Sequence, residues 1–196
     1  GIDNGSVVTT KYFLGDGDEV KEVDISPIDF GGAYMKIGEL ISEINKKPDD
    51  SLAWAGKIMG LCAYGKVRKE WVEPFIEYYE NDSHPLEILQ PHVSGTTPLT
   101  KDCLSGEDSY DLAATSQFVF ENLLFKWMKP ILEEHKDRNV VLVGGCALNV
   151  LYNQNLSEYV FDKTLSRKLY VPPNPNDCGL SLGFFLSHCP ELRGKD

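Results

Sequence analysis

The chain has 196 residues, 42% of them apolar and 25% charged, a balance that suits a folded globular protein with room for a sizeable core. Its formal net charge of −11 excludes a non-specific nucleic-acid surface or an anionic-membrane surface as the main business of the fold. It leaves open a local phosphate site, because main-chain N–H groups bind phosphate inside an acidic protein.

In chain order, the β-branched and aromatic run at 6–14, "SVVTTKYFL", predicts a strand. The turn signal "GDGD" at 15–18 and the run "EVKEVDI" at 19–25 complete a hairpin. Tyr34, Ile37, Leu40, Ile41 and Ile44 then mark one stripe of an amphipathic helix. A second helix is expected from the capping stretch "PDDS" at 48–51 through Ala63, and a third around Trp71, Phe75 and Tyr78 with Pro74 near its first turn. Residues 81–107 show weak periodicity and read as a long loop or insertion. A helix of about 25 residues follows, from Asp108 to Glu134, apolar around most of its circumference and expected between layers. The run "NVVLVGG" at 139–145 has the pattern of a strand buried on both faces. A helix, a last strand in "KLYVPP" (168–173) and a last helix in "DCGLSLGFFL" (177–186) close the order. This order predicts an α/β layer architecture, a mixed sheet with helices packed on it, in a single domain over 1–196.

Three stretches carry chemistry. In "VGGCALN", Gly144 and Gly145 end a strand without obstructing a ligand, and the following helix start offers N–H groups and a positive dipole end. Asn149, about one turn into that helix, is placed to bond a ribose or phosphate; the plainer reading is a tight strand–helix corner with its amide satisfying loop carbonyls. In "PPNPNDCG", Asp177 stands just before the last helix and reads either as its N-cap or as a metal ligand or phosphate-side carboxylate. Gly179 and Gly183 suit close helix packing or close ligand approach equally. In "AGKIMGLCAYG", Lys57 can reach a phosphate or carboxylate and Gly65 suits an αL C-cap, although a solvated lysine on an ordinary helix explains the first as well. The histidines at 84, 92, 135 and 188 lack HxxxH or HExxH spacing, and Cys146 reads as a buried thiol rather than a nucleophile. The cysteine count of five, without C-x-x-C, points to a reducing, cytoplasmic setting. The opening Gly1 in place of Met suggests a piece of a longer protein.

Taken in order, "AGKIMGLCAYG", "LAATSQ…E" (112–121), "VGGCALNVLYNQNL" and "VPPNPNDCGLSLGF" resemble the carbamoyltransferase family of nodulation and antibiotic O-carbamoyltransferases. The resemblance implies the second, nucleotide-binding lobe of that family's amino-terminal domain, which is like the tRNA-threonylcarbamoylation protein. Its fold would be an RNase-H-like lobe of the actin, Hsp70 and sugar-kinase kind. It implies ATP as cofactor, carbamoyl phosphate as donor, a carbamoyl adenylate intermediate and a small-molecule hydroxyl acceptor. Gly144, Gly145 and Asn149 would face the nucleotide, Lys57 and Gly65 would border the ribose, and Asp3 and Gly5 would form a phosphate-side turn. Asp177 would be one ligand of an iron or other divalent metal. The family's HxxxH pair, first lobe and carboxyl-terminal domain have no counterpart in these residues, so the isolated chain is expected to be inactive. Ala55-Gly56 stands where many relatives carry an acidic residue before the lysine. A sugar- or acetate-kinase-like lobe and a non-catalytic interaction domain of the same fold are the alternatives.

Overall fold

A computed structural model describes residues 10–17, 19–45, 53–81, 89, 104–161 and 167–189. It is a mixed α/β protein with two compact units that meet in sequence between Glu134 and His135. Among the described residues the strands form two separate two-stranded sheets rather than one mixed sheet.

The first unit opens with an antiparallel hairpin, β1 (Lys11–Asp16) and β2 (Glu19–Ile25), turning at Gly17, whose φ of 60° is one that glycine adopts freely. Of the strand expected at 6–14, residues 6–9 lie outside the described residues, and the strand runs from Lys11. Helix α1 (Phe30–Lys36) starts at Asp29, whose Oδ1 accepts the Gly32 N–H at 2.8 Å. All five residues of the predicted stripe are buried, yet the helix is shorter than the stripe. It tightens into a 3-10 turn at Ile37–Leu40, where Gly38 lies so close to Trp54 that a Cβ would stand 3.0 Å from that side chain. Ile41 then leaves helical geometry to form a parallel bridge with Leu104, with Ser42 N donating to Leu104 O at 2.9 Å. Long-range backbone pairing overrides the local period here.

Helix α2 (Trp54–Leu61) buries Trp54 and Ile58 and runs into a 3-10 turn, Cys62–Tyr64. Helix α3 (Lys69–Asn81) buries Trp71, Phe75, Tyr78 and Tyr79; Pro74 lies in its second turn rather than its first. Helix α4 (Glu107–Glu134), 28 residues and about 42 Å long, is the mast of this unit. Every residue from Asp111 to Gln117 is buried, so this stretch does lie between neighbours. Farther along, Phe118 is 42% exposed, and Trp127 and Ile131 are half-buried, so the expected burial all round holds only for the first half. Phe120 anchors an aromatic cluster, edge-on to Phe30 at 6.0 Å and 5.1 Å from Tyr34. Each such buried ring contributes about 1.5–3 kcal/mol. The hydroxyls keep partners: Tyr34 donates to Gln117 Oε1 at 2.6 Å and Tyr78 to Ala33 O at 2.7 Å. The segment expected as a long loop, 81–107, lies largely outside the described residues.

The second unit is a small β-α-β arrangement. Strand β3 (Val140–Val141) pairs in parallel with β4 (Leu169–Tyr170), and helix α5 (Val150–Val160) lies in the crossover that parallel pairing requires. Asn139 Oδ1 accepts the Lys168 N–H, and Arg167 Nε donates to Arg138 O, both at 3.0 Å, locking the strand entries together. Tyr152, Leu156 and Val160, four apart, form the buried stripe of α5. β3 is not buried on both faces: Val141 is 60% exposed and Val143 is exposed too. Helix α6 (Leu180–His188) follows β4 and presents Leu180, Leu182, Phe184 and Phe185 outward.

Candidate functional site

The carboxyl ends of β3 and β4 carry the two turns singled out in the sequence. Gly144 has φ +96°, a conformation that a side chain strains, and it is buried. Its N–H donates to Pro175 O at 2.6 Å, which straps the turn after β3 to the turn after β4. Gly144 and Gly145 are thereby brought beside the loop that ends in Asp177. In open α/β sheets this is the edge where ligands bind.

The turn itself differs from expectation. The chain does not pass directly from the glycine pair into a helix; a 3-10 turn, Gly145–Leu148, intervenes. Ala147 N donates to Gly144 O and Asn149 N to Cys146 O, both at 3.0 Å. Asn149 is therefore not one turn inside α5 but its N-cap, 6% exposed, with Oδ1 accepting the Tyr152 N–H at 3.0 Å. Asn153 reaches back and donates to Ala147 O at 2.8 Å, bracing the turn from the helix side. Gly145 is exposed, and a Cβ built there meets nothing within 4 Å, so internal packing does not explain it.

Asp177 opens a 3-10 turn, Asp177–Gly179, that precedes α6, and the cap position belongs to Asn176, whose Oδ1 accepts the Cys178 N–H at 3.3 Å. The Asp177 carboxylate is exposed and has no capping duty. Gly179 is explained locally, since a Cβ would stand 2.2 Å from Asn174 O; Gly183 has open space around it. Among the described residues no group of three His, Cys, Asp or Glu side chains stands together as a metal site. One carboxylate does not hold a metal by itself.

Lys57 and Gly65 belong to the first unit. Lys57 is exposed on α2 between Gly56 and Gly60, both exposed and both with nothing within 4 Å of a built Cβ. That face of α2 is open, in contrast to the Trp54 and Ile58 face. Gly65 is not an αL cap: its φ is −99° and its backbone is extended. It is glycine because a Cβ would lie 2.0 Å from Tyr110 O on α4. Asp3 and Gly5 lie outside the described residues.

A neighbouring group escaped the sequence reading. Asp111, its side chain 4% exposed, accepts the Lys66 N–H at 2.7 Å and pairs with Arg68 Nε through its other oxygen. Thr115 Oγ1 accepts the Arg68 N–H at 3.0 Å and donates to Asp111 O at 2.8 Å. Arg68 lies 5.3 Å over the Trp71 ring. Burial alone raises the Asp111 pKa, but the Lys66 N–H and the Arg68 bond and charge outweigh it and hold the carboxyl below its usual range. The available signal was a carboxylate inside an otherwise small and apolar helical stretch, directly before Leu112.

The geometry defines a mixed α/β protein whose glycine turn and carboxylate turn are bonded together at the carboxyl ends of two parallel strands. The family model described as "Carbamoyltransferase N-terminus" matches residues 2–185, and the chain belongs to the carbamoyltransferase family. It is 30% identical to nodulation protein U of Sinorhizobium fredii over 162 residues, 67% of this chain and 26% of that protein. To nodulation protein U of Rhizobium tropici it is 28% identical over 175 residues, 78% of this chain and 29% of that protein. The match to nodulation protein U of Azorhizobium caulinodans, 25% identical over 214 residues, covers 98% of this chain and 36% of that protein. The chain thus spans about a quarter to a third of the length of these relatives.

Proposed function

We propose that this chain is the nucleotide-binding second lobe of an ATP-dependent O-carbamoyltransferase, of the RNase-H-like kind found in the actin and sugar-kinase fold. In this reading the full-length protein takes a carbamoyl group from carbamoyl phosphate, forms carbamoyl adenylate with ATP, and passes the carbamoyl group to a hydroxyl acceptor. The observation that carries it, beside family membership, is the Gly144 N–H to Pro175 O strap, which gathers an exposed glycine turn and the uncommitted Asp177 carboxylate at one sheet edge. A glycine without packing partners leaves main chain open to a phosphate. Donors fixed by a turn stabilise charge on phosphoryl oxygens without reorganising. Lys57, Gly65 and the open glycines of α2 are proposed as the ribose-side contacts, and Asp177 as this chain's contribution to an iron or other divalent metal. The isolated chain lacks turnover in this reading.

Asn149 caps its own helix, so alanine there would confuse a binding loss with unfolding. Asn149→Asp keeps the capping oxygen and removes the amide donor. In the full-length protein, with ATP, carbamoyl phosphate and a hydroxyl acceptor, Asn149→Asp and Asp177→Ala are each expected to lower kcat/KM by at least about tenfold. Unchanged turnover in both variants would remove the site assignment. With the ATP analogue titrated into the labelled protein, the Gly145 and Cys146 amide resonances should shift first.

A further inference from the structure

We propose that Asp111 is a positioning residue for the nucleotide edge formed by α2 and the Gly65–Arg68 segment; this rests on the reading of Lys57 and Gly65 as ribose-side contacts. The segment from Gly65 to Arg68 is neither helix nor strand; only its ends bond to the flanking turns, Gly65 N–H donating to Cys62 O at 3.3 Å and Arg68 O accepting the Trp71 N–H at 3.0 Å. What fixes it is α4. Gly65 lies flat on the Tyr110 carbonyl with no room for a Cβ. One residue on, the Lys66 N–H is taken by Asp111; two further, the Arg68 N–H is taken by Thr115 and its Nε by Asp111. Tyr64, just before the glycine, sets its ring 5.8 Å from Tyr110. Contacts to Gly65, Lys66 and Arg68 thus all come from residues 110–115 of a single helix, a stretch of less than two turns.

A buried carboxylate is the group this task needs. It accepts from two donors that approach from different directions and carries the charge that holds the guanidinium. Asparagine keeps one acceptor but turns an NH2 toward Arg68 Nε, a donor facing a donor. Arg68 is only partly buried and meets Asp108 at 3.7 Å and Glu70 at 4.0 Å near the surface, so its own tie to Asp111 is what sets its direction. The segment also ends the element that begins with α2, since the 3-10 turn Cys62–Tyr64 runs directly from α2 into Gly65. Releasing Asp111 frees the carboxyl end of that element, and with it the aim of the face that bears Gly56, Lys57 and Gly60. Asp111 touches no reacting group in this scheme; it acts through Gly65 and α2.

The test is steady-state kinetics of the full-length protein with ATP varied at saturating carbamoyl phosphate and acceptor, rates normalised to active sites. Asp111→Asn is expected to raise KM for ATP about tenfold while kcat stays within about threefold, the pattern of lost binding rather than lost chemistry. Arg68→Gln, at a partly exposed position, provides a milder release and is expected to raise the same KM about threefold. A merely structural role would lower the active fraction and the melting temperature and leave KM for ATP where it was; that result, in either folded variant, overturns the proposal. Lys57→Ala separates the two layers of inference. If it raises KM for ATP and the Asp111 and Arg68 variants do not, the positioning role fails alone. If turnover has no dependence on ATP, the nucleotide reading fails and the positioning role falls with it.

Discussion

At the scale of single residues, the glycines sort into two kinds, and the difference is measurable. Gly65 and Gly179 are required by their own protein, because a side chain would strike the backbone at Tyr110 or Asn174. Gly56, Gly60 and Gly145 have open space where a side chain would go. Glycine inside a helix costs about 1 kcal/mol relative to alanine. Gly60→Ala should therefore stabilise the chain by up to about 1 kcal/mol in urea denaturation, while weakening ATP binding if that face meets the nucleotide. Gly65→Ala should destabilise it by more than about 2 kcal/mol, as overpacking against rigid backbone does. A Gly60→Ala variant that lost stability would mean that the open face is filled from within. Sequence alone does not make this division, since both kinds read as the same letter in the same motif.

At the scale of elements, α4 and its attachments were the most legible and the least complete part of the reading. The long periodic stretch gave its bounds to within a residue, because 28 residues of one pattern outweigh local noise. The stripe from Tyr34 to Ile44 is buried as its pattern predicts but helical only through Leu40, because the bridge between Ile41 and Leu104 joins residues far apart in sequence. The caps of α5 and α6 were misplaced by a 3-10 turn each, a boundary that local pattern rarely resolves. Asp111 was passed over because the two bonds that give it meaning come from 43 and 45 residues away. Its depressed pKa has a consequence in acid. A carboxyl held low in the fold adds stability above the ordinary aspartate range and loses that contribution as pH falls through that range toward the folded value. Glu43 acts in the same direction: burial opposes, but the Gly106 N–H, at 2.6 Å from its Oε1, and the neighbouring hydroxyls outweigh it. Stability should thus fall as pH drops below the ordinary carboxylate range. Asp111→Asn should flatten part of that slope in denaturation series across acidic pH. An identical slope in the variant would assign the acid sensitivity elsewhere.

At the scale of the molecule, the second unit turns a good deal of apolar surface outward. Leu180 is 70% exposed and Phe184 69%, and Val141 and Tyr170 are also exposed. Isolated apolar residues on a surface are ordinary, but neighbours along one helix make a continuous face. These 196 residues should bind an environment-sensitive dye such as ANS, and Leu180→Ser with Phe184→Ser should reduce that fluorescence while changing stability by less than about 0.5 kcal/mol. A large stability loss instead would show that these side chains pack inside the unit. No described helix is long and apolar enough to cross a membrane.

The bond from Gly144 N–H to Pro175 O makes two stretches some thirty residues apart into one structural part. Anyone exchanging loops between cousins of this protein, to retune what it accepts, would have to transplant both stretches at once. A graft of either alone would meet a carbonyl or amide held at a different place, and the shape at the mouth of the sheet would not survive the move.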